Sequence, residues 1–255
     1  MRSDIMKVIV LNTTEELAAA AAARGAELLR KAVEEKGSAR LLLSTGASQL
    51  GTLKELVSLP VDWGKVEMFH LDEYVGLPES HGASFRRYLK ERFVSKVPLK
   101  KAHFVNWEGS IAQNMKALSE EISSAPLDVG FIGIGENAHI AFNDPPADFD
   151  TEEPFLLVTL DDACRRQQVG EGWFASPEDV PGQAITASVR QILKCGAILS
   201  CVPFKVKAEA VRKTLESPVD PHVPASILKT HPDVTLYLDR ESASLAGESL
   251  LAAFR

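Results

Sequence analysis

The feature that most constrains the fold is a regular alternation of short, apolar, β-branched runs with longer runs of helical periodicity. Strands are predicted at residues 7–11, 40–43, 66–70, 127–134, 155–160, 197–202 and 234–238. Helices are predicted at residues 17–35, 49–59, 84–94, 114–123, 205–215 and 241–254. Such alternation is typical of parallel strands covered by helices. The predicted fold class is α/β, a mostly parallel, open, Rossmann-like sheet with helices on both faces.

The chain shows no internal repeat, low-complexity segment or flexible linker, so residues 1–255 are predicted to form a single domain. Its formal net charge of −7 argues against a nucleic-acid partner, because phosphate backbones are bound by clustered positive charge. No apolar run reaches the ~18 residues that a membrane-spanning helix needs, so no membrane partner is expected. Residues 1–10 are interpreted as a strand rather than a signal peptide, because their apolar run is short.

The cysteines and histidines indicate neither disulfides nor a metal centre. Cys164, Cys195 and Cys201 are odd in number and lack C-x-x-C spacing, which is typical of reduced, buried thiols in a cytoplasmic protein. The six histidines are scattered and show no ligand-like spacing, so no metal is expected. They lie at positions 70, 81, 103, 139, 222 and 231.

Ligands of open α/β sheets bind outside the carboxyl ends of the strands, so the residues that follow each strand are the candidate site. Small residues, 44–48, follow the second strand. Their backbone N–H groups can approach an anion closely, which makes Thr45, Gly46 and Ser48 candidate ligands. The alternative is a plain strand-to-helix turn with Ser48 as the N-cap.

Two adjacent acids, Asp72 and Glu73, follow the third strand. Adjacent strand residues point to opposite sides, so one of them can face a pocket. A carboxylate in that position is a candidate general base. The alternative is a solvated acidic loop.

The most informative stretch is residues 131–146, where an apolar strand breaks on two glycines and exposes Asn137, His139 and Asp144. A histidine there can carry a proton at neutral pH. The alternative is a structural histidine that caps a turn. The stretch also fits the loose pattern G-x-G-x-x-A, but no dinucleotide site is expected. The pattern sits mid-chain, the residues after it are a poor start to a helix, and no well-placed acid ends the next strand ~20 residues on.

Two further segments that follow predicted strands carry basic side chains. Lys207 lies close to a helix N-terminus, where an anionic ligand would offset the unfavourable dipole; an exposed lysine is the alternative. Residues 161–168 combine acids with an arginine pair. An arginine of this pair is a candidate phosphate ligand, and a solvated helical face is the alternative.

These segments together resemble the superfamily of glucosamine-6-phosphate deaminases and 6-phosphogluconolactonases, and are more similar to the deaminase branch. The resemblance covers about residues 8–239. It is carried by Ser-Thr-Gly at 44–46, Leu-Asp-Glu-Tyr-Val-Gly-Leu-Pro at 71–78, Gly-Ile-Gly-Glu-Asn-Ala-His-Ile-Ala-Phe-Asn-Asp-Pro at 133–145, and Lys-Ala at 207–208.

The resemblance implies a cofactor-free conversion of an amino sugar phosphate into a ketose phosphate and ammonia. His139 would open the sugar ring, and Asp72 would move the C2 proton towards C1 through an enolamine. Thr45, Gly46 and Lys207 would hold the phosphate of this small-molecule substrate. Assembly varies within the superfamily, which leaves a homo-oligomer open.

The chain departs from the pattern of the superfamily at three positions. Asn137 replaces the usual aspartate two residues before the histidine; its oxygen can accept an imidazole N–H bond but supplies no charge. Asp144 replaces a glutamate. Ungapped matching places Gln168 at a phosphate-binding arginine, with Arg165 one helical turn earlier as a substitute. These changes leave two alternatives open: another isomerase or lactonase reaction in the same pocket, or a catalytically weak sugar phosphate sensor.

Overall fold

The computed structural model describes residues 6–254. Its strands are β1 (Lys7–Leu11), β2 (Ala39–Leu43), β3 (Val66–His70), β4 (Asp72–Tyr74), β5 (Lys101–His103), β6 (Leu127–Ile132), β7 (Phe155–Thr159), β8 (Gln183–Ala187), β9 (Cys195–Val202) and β10 (Val234–Asp239). Its α-helices are α1 (Thr14–Lys36), α2 (Leu50–Leu56), α3 (Phe85–Leu89), α4 (Ile111–Ser123), α5 (Asp162–Gly170), α6 (Val189–Ile192), α7 (Ala208–Glu216) and α8 (Glu248–Ala252). Short 3-10 turns precede α2 and α7, and a π-helical turn at Lys90–Val94 continues α3.

Seven strands form one parallel sheet in the order β1-β10-β9-β6-β2-β3-β5, which confirms the predicted fold class. In its centre, Leu43 at the end of β2 is paired with both His70 of β3 and Phe131 of β6. The carboxyl ends of these three strands therefore meet at one edge. The segments that follow these strands lie close together, at the edge where the ligands of open α/β sheets bind.

Helix α1 shows how the sequence covers the sheet. The Thr13 side chain accepts a hydrogen bond from the Glu16 N–H group and caps the helix N-terminus. Its alanine-rich face is buried, and Gly25 lies so close to the sheet that a Cβ there would come 2.3 Å from Phe131 Cζ. A small residue is needed where the helix crosses the central strand.

A second sheet was not predicted. Strands β4, β8 and β7 form an antiparallel sheet in which Asp72 is paired with Thr186. The predicted strand at 155–160 exists, but it belongs to this sheet and not to the parallel one. The sheet packs on a cluster of aromatic side chains, with Tyr74 4.9 Å from Phe85 between ring centroids. This small sheet fixes the position of Asp72.

Other predicted boundaries need correction. The helix predicted at 241–254 is a run of turns up to Gly247, followed by the short α8. Strand β6 ends at Ile132 rather than 134, because the backbone turns away at the first glycine. Residues 1–5 of the predicted N-terminal strand lie outside the described residues. Across residues 6–254, no helix combines the length and the apolar character that crossing a bilayer requires.

Candidate active site

A cleft of about 570 Å³ opens at the carboxyl ends of the central strands. It brings together seven of the ten residues predicted for the site: Thr45, Gly46, Ser48, Asp72, His139, Gln168 and Lys207. Asn137, Asp144 and Arg165 do not line it. These three therefore do not reach the cleft directly, and any effect they have on a ligand passes through a neighbour.

The loop after β2 forms one wall of the cleft. Gly46 has φ of 94°, in the region that favours glycine, and its carbonyl accepts a hydrogen bond of 2.9 Å from the Tyr88 hydroxyl. Ser48 lies inside the 3-10 turn Ala47–Gln49 and is not a helix cap, so the cap interpretation was wrong. The loop exposes small polar side chains and backbone to the cleft.

Asp72 is 6% exposed and lies in the cleft wall, at the start of β4. Burial, reinforced by the neighbouring charge of Glu73, raises the pKa of Asp72 to about 8. A carboxyl group with a pKa near neutrality can act as a base and then return the proton as an acid.

Glu73 points the other way and is fully buried. Its carboxylate accepts hydrogen bonds from Ser84 Oγ (2.9 Å) and from the N–H groups of Phe85 (3.2 Å) and Arg86 (2.7 Å). Burial still raises the pKa of Glu73, although these bonds oppose it. The solvated-loop alternative was therefore wrong for both acids. Glu73 anchors α3, and Asp72 is left free to face a ligand.

His139 is held by the turn that follows β6. The Gly135 N–H group donates to the His139 carbonyl at 2.9 Å, and the imidazole lies over Gly135. A Cβ at Gly135 would come within 2.3 Å of ring atoms, so the glycine is needed for this position. Ala138 has φ of 66°, in the left-handed region that favours glycine.

The side chain that lies beside the His139 imidazole is the Asp144 carboxylate and not the Asn137 amide. Nδ1 of His139 lies 3.0 Å from Asp144 Oδ1, within ion-pair distance, although the ring N–H is not aimed well enough for a hydrogen bond. Asn137 donates from Nδ2 to the same Asp144 oxygen at 3.1 Å, and its own oxygen accepts the His139 backbone N–H at 3.1 Å. The expectation that Asn137 meets the imidazole was wrong, because the turn aims its amide at Asp144.

These contacts set the charge of Asp144. Burial alone would raise the pKa of this carboxyl, but the contacts from His139 and Asn137 outweigh it and hold the pKa below its ordinary value. Asp144 is therefore ionised at neutral pH and can stabilise a proton on the imidazole.

Lys207 is 5% exposed, so the exposed-lysine alternative was wrong. Its Nζ lies 3.4 Å from Oε1 of Glu171, a residue for which no sequence signal was found. The backbone reaches this position through Phe204, which has φ of 80° and precedes the 3-10 turn Lys205–Lys207. The lysine thus enters the cleft already paired with a carboxylate.

Helix α5 lines the cleft with glutamines rather than arginine. Gln168 accepts a hydrogen bond of 2.6 Å from the Tyr74 hydroxyl, and Gln167 also lines the cleft. Arg165 lies on the same helix but not in the lining, with its Nε buried and without a partner among the described residues. Arg165 as a substitute phosphate ligand is therefore not supported, because the helix directs it away from the cleft.

The segment after β2 also brings to the cleft two polar atoms that sequence reasoning did not single out as ligands. Ser44 Oγ and Gln49 Oε1 line the cleft region and, within residues 6–254, have no hydrogen-bond partner although they are buried. Buried polar atoms are normally paired, so these two are available to a ligand or a water. Their position after a strand was the signal that could have found them. The described part of the chain holds no cluster of three or more His, Cys, Asp or Glu residues with metal-binding geometry.

A parallel sheet with a buried carboxylate, a histidine and a lysine around one cleft defines an α/β protein whose titratable side chains meet at the carboxyl ends of the strands. Residues 12–237 match the family model described as glucosamine-6-phosphate isomerases/6-phosphogluconolactonase. The chain belongs to this family.

The chain is similar to curated relatives over nearly its whole length. It is 33% identical to a glucosamine-6-phosphate deaminase of Bacillus cereus over 246 residues, which are 96% of this chain and 91% of the relative. A glucosamine-6-phosphate deaminase of Bacillus thuringiensis is 34% identical over the same length and the same shares of both chains.

Solved structures agree with this placement. The structure of a monomeric glucosamine-6-phosphate deaminase superposes with a TM-score of 0.85 at 33% identity, over 94% of this chain and 100% of that one. A 6-phosphogluconolactonase from Shewanella baltica has a TM-score of 0.74 at 20% identity, over 92% and 97% of the two chains. The second likeness shows the shared fold alone.

Proposed function

We propose that this protein is an amino sugar phosphate deaminase-isomerase that converts glucosamine 6-phosphate and water into fructose 6-phosphate and ammonia without a cofactor. The observation that carries the proposal is the meeting of Asp72, His139 and Lys207 around one cleft. The names of the relatives that match over nearly the whole chain support the same reaction.

His139 acts first, at the ring oxygen. Proton transfer between the imidazole and the sugar opens the ring and gives the free aldehyde at C1. Asp144, 3.0 Å from Nδ1, keeps the ring oriented and stabilises the imidazolium when it forms. Asn137 holds Asp144 in place for this role.

Asp72 acts second, at carbon. Its carboxylate takes the proton from C2, and the C1 oxygen takes up the proton that the C2 ammonium group releases, which gives a neutral enolamine with a C1–C2 double bond. The Asp72 carboxyl then returns its proton to C1. The resulting C2 iminium adds water and expels ammonia, which leaves the ketone. In the absence of substrate the raised pKa of Asp72 keeps it largely protonated at pH 7. A cationic C2 ammonium group beside it favours the ionised, basic form.

The phosphate lies beside Lys207 in this proposal. Lys207 supplies the positive charge, and the small-residue loop of Thr45, Gly46 and Ser48 supplies backbone and hydroxyl groups. Gln168 adds a neutral amide where the resemblance led us to expect an arginine.

The test is to incubate the purified protein with glucosamine 6-phosphate and measure ammonia and fructose 6-phosphate. The proposal predicts both products in equal amounts, without added metal or cofactor. Absence of ammonia from this and related amino sugar phosphates would contradict it. Hydrolysis of 6-phosphogluconolactone faster than deamination would instead favour the lactonase alternative.

We further propose that the protein acts in the cytoplasm, as part of amino sugar metabolism. Cys164, Cys195 and Cys201 are all free and buried, which suits a reducing compartment. Retention of full activity in a reducing buffer, with three titratable thiols after unfolding, is the expected result.

A further inference from the structure

Glu171 is the charged residue of the cleft that the proposed mechanism does not use. It follows α5 directly, and its side chain is 18% exposed. Its Oε1 atom accepts a hydrogen bond from Gln167 Nε2 at 2.9 Å and lies 3.4 Å from Lys207 Nζ. Its Oε2 atom accepts from Trp173 Nε1 at 3.3 Å. The carboxylate is thus fixed by three donors.

Its effect on the cleft is electrostatic. Within residues 6–254, Lys207 is the one lysine or arginine that lines the cleft. The Glu171 carboxylate already neutralises that charge in the absence of a ligand. A phosphate group that approached Lys207 with Glu171 in place would bring two anions together in a poorly solvated site, where like charges repel strongly.

We propose that Glu171 is an internal competitor for the phosphate, and that the substrate phosphate displaces its carboxylate from Lys207. This inference rests on the proposed function. The partners of Glu171 make the exchange feasible. Gln167 and Trp173 lie on its own segment, four residues before it and two residues after it, whereas Lys207 belongs to a different element. When Lys207 turns to the phosphate, the carboxylate keeps two hydrogen bonds, which limits the cost of the exchange.

The competition affects binding rather than chemistry. Every ligand that uses Lys207 must first displace Glu171, in the ground state and in the transition state alike. A free-energy cost that is the same in the ground state and in the transition state raises KM and leaves kcat unchanged. Glu171 is therefore a residue that sets affinity for phosphorylated sugars, through Lys207.

The test is to compare Glu171→Gln with Glu178→Gln. Both changes remove one negative charge from the chain after α5, but Glu178 is exposed and forms no ion pair within residues 6–254. The Kd of inorganic phosphate is measured by calorimetry at fixed ionic strength, and KM and kcat are measured with glucosamine 6-phosphate. For Glu171→Gln we expect Kd and KM to fall about tenfold, equivalent to ~1.4 kcal/mol. We expect kcat to stay within about twofold, and Glu178→Gln to match the wild type.

Glu171→Asp provides a second measurement if the glutamine variant folds poorly. It keeps the charge but withdraws it by one methylene, so phosphate should bind more tightly than to the wild type. Unchanged or weaker phosphate binding in both variants, with a raised KM, would overturn the proposal and make Glu171 a positioning residue for Lys207. The phosphate titration needs no turnover. If the wild type releases no ammonia, the proposed function fails, while the titration still decides the role of Glu171.

Discussion

The two groups of side chains that the proposal places around the cleft, here called the reacting end and the phosphate end, are built in different ways. The reacting end, formed by Asp72 and His139 with Asp144 behind the imidazole, is fixed by the small sheet and by the turn after β6. The phosphate end, formed by Lys207 and Glu171, depends on one ion pair between distant elements. The first arrangement holds groups rigidly for chemistry, and the second can exchange partners with a ligand. Substitutions at the reacting end should therefore change kcat, and those at the phosphate end should change KM.

The largest effect is expected for Asp72→Asn. An amide fills the same space but cannot take a proton from C2, so kcat should fall about 10³-fold while substrate binding persists. Turnover is measured by ammonia release, and binding by thermal stabilisation with glucosamine 6-phosphate. An Asp72→Asn protein with full activity would remove the base from the reacting end.

Asp144→Asn should have the next largest effect. The variant keeps the hydrogen bond to Asn137 but loses the charge that stabilises the imidazolium of His139, so kcat should fall about 10²-fold. Asp150→Asn is the matched control, because Asp150 is an exposed acid of the same loop. Equal rates for the two variants would show that Asp144 does not act on His139.

Lys207→Ala should raise KM about 10- to 100-fold with a much smaller change in kcat, since hydrogen bonds to charged groups contribute ~1.5–3 kcal/mol. The variant should also lose about 1 kcal/mol of unfolding free energy, because Glu171 remains half-buried without its cation. Kinetics and chemical denaturation measure the two effects. Lys205→Ala, a change of an exposed lysine in the same turn, is the control. An unaltered KM would place the phosphate elsewhere.

The pH dependence of stability gives a test of Asp72 without substrate. The pKa of Asp72 is about 8 in the folded protein, against an ordinary value of 3.8. Between these values the unfolded chain has released the proton while the folded protein keeps it, so this group lowers stability as pH rises from about 4 to about 8. Asp72→Asn removes the effect. Its stability advantage over the wild type should grow across that window and level off above it; a constant difference would contradict the raised pKa.

The smallest effect is expected for Asn137→Asp. The amide now donates to Asp144, and a carboxylate in its place would put two like charges 3.1 Å apart. One of them would take up a proton, so the rate should fall about threefold rather than rise, with some loss of stability. A faster enzyme would mean that residue 137 reaches the imidazole during catalysis.

The sequence predicts much of the parallel sheet and of the reacting end for the same reason. Polar residues placed after apolar strands identify the adjacent acids Asp72 and Glu73, and His139, because parallel strands end at one edge. The small sheet was not predicted because its strand β4 contains two acids, and because β8 is a short strand of five residues that begins with a glutamine. Which of the two acids faces the cleft depends on that sheet, so the sequence alone leaves the choice open.

The phosphate end was less predictable. Lys207 carries a local signal, its place at a helix start, whereas Glu171 is one of many acids and meets Lys207 through the tertiary fold. The partner of His139 was misassigned for a related reason. The turn around Ala138, with its positive φ, decides whether Asn137 or Asp144 reaches the ring.

The most direct test of the central claim, that Asp72 moves the C2 proton, uses glucosamine 6-phosphate labelled with deuterium at C2. With the wild type, ammonia should be released with a primary isotope effect, and the label should leave C2 for C1 of the ketose or for water. Asp72→Asn should bind the labelled sugar and leave its label in place. Ammonia release without loss of the C2 label, or loss of the label in Asp72→Asn at the wild-type rate, would contradict the account.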